Sequence, residues 1–205
     1  VFRTPIYPGD PEPSVTVATT LENEGYNLST LVMGTQTGTH VDAPYHFSNS
    51  GETIDNMELD FFLGEAVVVR VTDKKADEAI TLEDIEPYKE EICEGKIVLF
   101  NTNWYKTRGT DEFFHHPYVN GDVAKYLVDN GVRFIGIDTI NADQTGGTEF
   151  PVHDLFSEKR LMIGENWAFF DQIDFERPYV IALPMKLIGC DGSPVRAIAV
   201  QWEEE

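Results

Sequence analysis

Cysteine, positive charge and long apolar runs are all scarce in this sequence. Cys93 and Cys190 are its only cysteines. Two in 205 residues make no disulfide framework, so a reducing compartment, the cytoplasm, is expected. Lys and Arg total 15 against 36 Asp and Glu, a net charge of -21. A field of that sign repels nucleic acid and anionic membranes and attracts cations, divalent metals included. No run approaches the roughly 18 apolar residues of a membrane helix. The opening VFRTPIYPGDPEP lacks the apolar centre of a signal peptide, and Asn27-Leu28-Ser29 reads as a chance glycosylation match. No Gly-x-Ser-x-Gly elbow occurs and neither cysteine sits in a recognisable site, so no serine or cysteine nucleophile is signalled.

What is present is an ordinary globular mixture, 41% hydrophobic and 25% charged. The length suits one domain over 1–205. Ser14–Thr20 alternates apolar and polar residues as a strand does, and Asn27–Thr35 is a second strand candidate. The β-branched runs at 65–72 and 96–102 read as buried strands. Between them, Thr81 with Asp84 three residues on opens a short helix that Pro87 limits. Asp122–Asn130 is the clearest helix, and residues 132–139 form a buried strand ending in a carboxylate. Residues 153–159 read as helical turns, and Tyr179–Leu187 and Ala197–Trp202 as further strands. The class is mixed α/β with a strand-rich core.

Chemistry concentrates in TGTHVDAPYHF at residues 37–47. In an extended chain, residues two apart face the same way, about 6.6 Å apart. His40 and Asp42 therefore aim an imidazole and a carboxylate at one point, a pairing suited to Zn²⁺ or Mn²⁺. Gln36, Gly38, Pro44 and His46 share that parity. On a flat strand Gln36 and His40 would lie roughly 13 Å apart, so a bend is expected near Gly38-Thr39. Asp138 and Asp143 follow a buried strand, where a carboxylate either orients a metal-bound histidine or caps a helix. His115-His116 reads as a solvated turn more readily than as a site. Trp104-Tyr105 is as readily core as pocket wall.

The same segment resembles the signature of the cyclase family of metal-dependent hydrolases, which includes bacterial kynurenine formamidase and isatin hydrolase. The family pattern is His-x-Gly-Thr-His-x-Asp-x-Pro-x-His-Phe, matched here by Gly38, Thr39, His40, Asp42, Pro44, His46 and Phe47. The resemblance continues in Tyr7-Pro8-Gly9-Asp10, in GIDTINAD at 136–143, in PVHDLF around His153, in MIGENW around Glu165 and in DGSPVRAIA at 191–199.

The resemblance implies a swivelling β/β/α domain with a β-barrel-like core, assembled as a homodimer or homotetramer. It also implies a divalent-metal centre. His40, Asp42 and Gln36 would hold one ion, and Asp42, His153 and Glu165 would hold or share a second. His46 would be the general acid/base, and Tyr7 would contact a small, planar substrate. The expected activity is hydrolysis of an arylformamide, lactam or lactone by metal-activated water. Asn141 stands in place of the family's Ser, and a more important departure touches the metal: Gln36 stands where the family has its first histidine ligand. Its neutral oxygen suits Mn²⁺ better than Zn²⁺. Three outcomes follow: an oxygen ligand, a single-ion site, or a metal-containing binding protein that has lost catalysis.

Overall fold

The computed structural model describes residues 4–202. Its frame is a run of parallel strands buried on both faces: β4 (Leu63–Arg70), β6 (Ile97–Asn101), β8 (Phe134–Ile137) and β9 (Met162–Glu165). Side chains alternate across it with period two. Val67, Val69, Val98, Phe100, Ile135, Ile137 and Ile163 enter one core. Ala66, Ile97, Leu99, Phe134 and Met162 enter the other.

Three crossovers join these strands and carry the helices α2 (Leu82–Ile85), α3 (Gly121–Asp129) and α4 (Pro151–Glu158). The strands advance across the sheet in one direction, β4, β6, β8, β9. Crossovers of one hand then put every helix on one face, and Ile85, Val123, Leu127, Val152 and Phe156 all bury in the first core.

Antiparallel strands extend both sides. β3 (His40–Asp42) pairs with β9, and β11 (Gly192–Pro194) pairs with β3. At the far side β10 (Tyr179–Ile181) pairs with β4, and β12 (Ile198–Val200) with β10. The eight strands run β11-β3-β9-β8-β6-β4-β10-β12 and curl into a half-barrel. The mixed α/β class with a barrel-like core is thus present in open form.

Outside this sheet, β5 (Ala79–Ile80) pairs in parallel with β7 (Tyr118–Val119). β1 (Ser14–Thr19) and β2 (Leu28–Val32) form a two-stranded hairpin around α1 (Leu21–Glu24). That hairpin stands in solvent, with Val17, Leu21, Leu28 and Val32 each more than half exposed.

Some expected elements are shorter than the sequence pattern. The strand expected over Tyr179–Leu187 stops at Ile181, because Pro184 cannot donate to a ladder. The second hairpin strand ends at Val32, before Gly34. The helix at Thr81 is four residues long and passes into a tighter turn holding Pro87. Its expected cap is present: the Asp84 carboxylate accepts the Thr81 backbone N–H at 2.6 Å.

Candidate metal centre

Strand register assembles the site. Val41 buries in the second core, so His40 and Asp42 turn to the opposite, helical face of β3. Across the ladder His40 lies opposite Glu165 of β9, and residues directly opposite share a face. One imidazole and two carboxylates thereby converge, with donor atoms all within 4.8 Å of one another. From above, α4 lowers His153, whose Nε2 lies 3.2 Å from Glu165 Oε1 and 3.5 Å from Asp42 Oδ2. His40 Nε2 lies 3.4 Å from Asp42 Oδ1 and 3.5 Å from Glu165 Oε2. All four residues are buried.

Each imidazole is oriented from behind. Gly38 takes the left-handed backbone (φ 77°) that the expected bend requires. Its carbonyl accepts from His40 Nδ1 at 2.7 Å, leaving Nε2 for the centre. Asp143 holds His153 by accepting from Nδ1 at 2.7 Å. The same carboxylate accepts the backbone N–H groups of Val152 and His153 at 3.1 and 3.0 Å. Phe150 at the start of α4 offers no capping side chain, so Asp143 caps the helix and orients the imidazole at once. Glu165 is fixed through Oε1, which accepts the Ala142 N–H at 2.6 Å. Asp138 lies apart from this centre. It accepts the backbone N–H groups of Thr102 and Asn103 and so shapes the loop after β6.

The electrostatics fit a cation. Both oxygens of Asp42 are buried without a hydrogen-bond partner, as is Gln36 Oε1. Buried carboxylates are normally paired or coordinate metals, and the two histidines reach Asp42 only at ion-pair distance. Burial opposes charge on His40, but contact with Asp42 and Glu165 outweighs it and raises the pKa to about 10. Burial likewise opposes charge on His153, and Glu165 and Asp143 outweigh it, raising its pKa well above the usual value. Burial pushes Asp42 upward, while His153 and His40 hold it well below the carboxylate range. A set of oxygens and imidazoles so poised could hold a divalent metal ion.

The remaining site residues surround a cavity of about 510 Å³ that opens on this centre. A short turn, Pro44–His46, carries His46 off the strand, with its ring 6.0 Å from that of His153. Its Nδ1 lies 2.8 Å from Asp191 Oδ2. Burial lowers the pKa of His46, and the bond to Asp191 together with the charges of Asp42 and Asp191 outweighs it, so the net shift is upward. Gln36 lines the cavity beside His40 and His46, and Tyr7 lines its wall with Ile140 and Phe150.

Other sequence candidates fall elsewhere. Trp104 joins Phe113 and Ile140 in a small separate core, and Tyr7 packs against that cluster. His115 is an exposed residue facing Asp77. His116 is buried and bonded to Thr145 and the Pro117 carbonyl, a structural histidine and not the solvated turn expected. Asp191 escaped the residue-level reading. It lies 145 residues from His46, and no local spacing links the two.

The Cyclase family model matches residues 2–144. Over 193 residues the chain is 31% identical to a kynurenine formamidase of Bacillus mycoides strain KBAB4, covering 94% of this chain and 89% of that one. Its fold superposes on an isatin hydrolase bound to a product analogue with a TM-score of 0.88, at 24% identity, over 96% of this chain and 87% of that one. A protein of Bacillus stearothermophilus described as a predicted metal-dependent hydrolase gives a TM-score of 0.78 at 29% identity, over 96% of this chain and 91% of its own. Motif, fold and the length of the match agree: this chain belongs to the cyclase family.

Proposed function

We propose that this chain is a metal-dependent hydrolase that cleaves the amide or ester acyl bond of a small aromatic or cyclic substrate. Arylformamides, lactams and lactones are the candidate classes. The carrying observation is the unpartnered Asp42 carboxylate among His40, His153 and Glu165, opening on a cavity that His46 also lines. In this reading His40, Asp42 and the Gln36 oxygen hold one divalent ion, Mn²⁺ or Zn²⁺. Asp42, His153 and Glu165 hold or share a second. A bound divalent ion supplies a Lewis acid and lowers the pKa of water toward about 7. His46 moves the proton, with Nε2 toward the cavity and Nδ1 held by Asp191. Tyr7, Ile140 and Phe150 give the apolar wall on which a planar ring rests.

The alternative of a binding protein without turnover has no feature of the site behind it beyond Gln36 itself. The test is metal analysis joined to a hydrolysis panel of N-formylkynurenine, isatin and an aryl lactone. Turnover of one substrate class, abolished by chelation and restored by Mn²⁺ or Zn²⁺, is expected. A fully loaded protein that turns over none of them would overturn the reading.

The partner set proposed is a small-molecule substrate and further copies of the chain, as a homodimer or homotetramer. The exposed apolar hairpin β1–β2 supports the assembly, because a lone two-stranded hairpin is marginal in water. No helix among the described residues is long and apolar enough to cross a membrane. The unpaired Cys93 and Cys190 accord with a cytoplasmic setting.

A further inference from the structure

We propose that Asp191 is a positioning residue whose carboxylate fixes two groups of the site at once, the tautomer of His46 and the orientation of the Gln36 amide. The inference rests on the hydrolase reading above for its effect on turnover, but its geometry stands apart from it. Asp191 Oδ1 accepts from Thr35 Oγ1 at 2.6 Å. Oδ2 accepts from Gln36 Nε2 at 2.9 Å and faces His46 Nδ1 at 2.8 Å. The residue's own backbone is pinned, since its carbonyl accepts the Ala43 N–H at 2.8 Å.

An ionised carboxylate only accepts, so all three partners must present hydrogens to it. His46 therefore carries its ring proton on Nδ1, and the neutral ring leaves Nε2 free as an acceptor. Gln36 turns its NH₂ toward Asp191, which faces its oxygen the other way. That oxygen is the one left buried without a partner. Reversing the amide would set a carbonyl against an anion. Gln36 Nε2 also lies 3.3 Å from His46 Nδ1. Two donors that close repel unless one negatively charged oxygen accepts from both, as Asp191 Oδ2 does. Space for this arrangement comes from Gly192, where a Cβ would lie 2.6 Å from Gln36 Nε2. The pairing of β11 with β3, which sets Gly192 opposite Asp42, delivers both residues.

The test uses Asp191→Ala and Asp191→Asn in the full chain. Long-range ¹H–¹⁵N spectra of the neutral imidazoles, with His46 assigned by His46→Ala, read the tautomer in metal-free and Zn²⁺-loaded protein. The parent should show the Nδ1–H form, and Asp191→Ala should lose that preference. On whichever substrate the panel identifies, kcat should fall about 10–100-fold, as for other residues that orient site groups. KM should change little, and formate should restore part of the rate to Asp191→Ala. Asp191→Asn matches the parent in size and carries the comparison if the alanine variant fails to fold; its amide oxygen still accepts from both donors but lacks the negative charge that strengthens those bonds, so its tautomer preference should weaken too. An unchanged His46 tautomer in the folded variants, or an unchanged kcat, would overturn the proposal. Should no substrate be turned over, the functional reading fails and the tautomer comparison still decides this one.

Discussion

Asp143→Ala separates a metal site from a helix that merely needs capping. Asp143 is buried and accepts from three donors: His153 Nδ1 at 2.7 Å and the backbone N–H groups of His153 and Val152 at 3.0 and 3.1 Å. Alanine removes a helix cap, typically about 1 kcal/mol. It also strands buried donors, each costing about 1–3 kcal/mol where water does not replace the partner. Metal-free protein should therefore lose about 2–4 kcal/mol in urea denaturation. Capping alone predicts nothing more. The bond to Nδ1 adds a second effect, because it aims His153 Nε2 at Asp42 and Glu165. Loss of such a partner weakens metal binding about 10–100-fold, which calorimetric titration with Zn²⁺ or Mn²⁺ would read. Undiminished metal affinity in a folded but destabilised variant would refute the orienting role and leave Asp143 as a cap.

Four further outcomes are expected. His40→Ala and Asp42→Ala should each lose most bound metal by elemental analysis, and full metal content in both would remove them from the ligand set. Gln36→His should move metal preference from Mn²⁺ toward Zn²⁺ in competition experiments, since imidazole is the softer donor; an unchanged ratio counts against the oxygen ligand. His46→Ala should keep near-parent metal content while losing roughly 10²–10⁴ in rate, and metal lost in step with activity would make His46 a ligand. The last outcome concerns pH. The folded pKa of His40 in metal-free protein, about 10, lies above its ordinary 6.5. The charged ring thus stabilises the metal-free fold fully below about pH 6.5 and less as pH rises through about 10. Metal binding needs the neutral ring and strengthens with rising pH. The Tm gap between loaded and chelated protein should widen from about pH 6 to 9 in thermal scans, and a constant gap would contradict it.

Much of this molecule is legible in its sequence because periodicity and punctuation are local. The β-branched runs at 65–72 and 96–102 became β4 and β6 within two residues at either end. Asp122–Asn130 became α3, shifted by one. The same-face logic for His40 and Asp42 holds in β3, and Gly38 makes the bend that geometry demanded. What spacing could not supply is contact between distant segments. The opposition of His40 and Glu165 is a matter of strand register across 125 residues of chain, and only the family pattern linked the two. Asp191 reaches His46 because β11 closes on β3, an edge pairing that no local signal announces. Strand ends near Pro184 and Gly34 were overrun because an alternating pattern continues where hydrogen-bond partners stop.

The ladder between β3 and β9 has a consequence for how the chain finds its fold. A slip of one residue would turn Val41 toward the cavity and drive His40 and Asp42 into the apolar core on the other face. The misaligned sheet would then be unable to hold an ion. A divalent ion that binds His40, Asp42 and Glu165 would bind only the correctly aligned sheet, and by mass action would draw the population toward it.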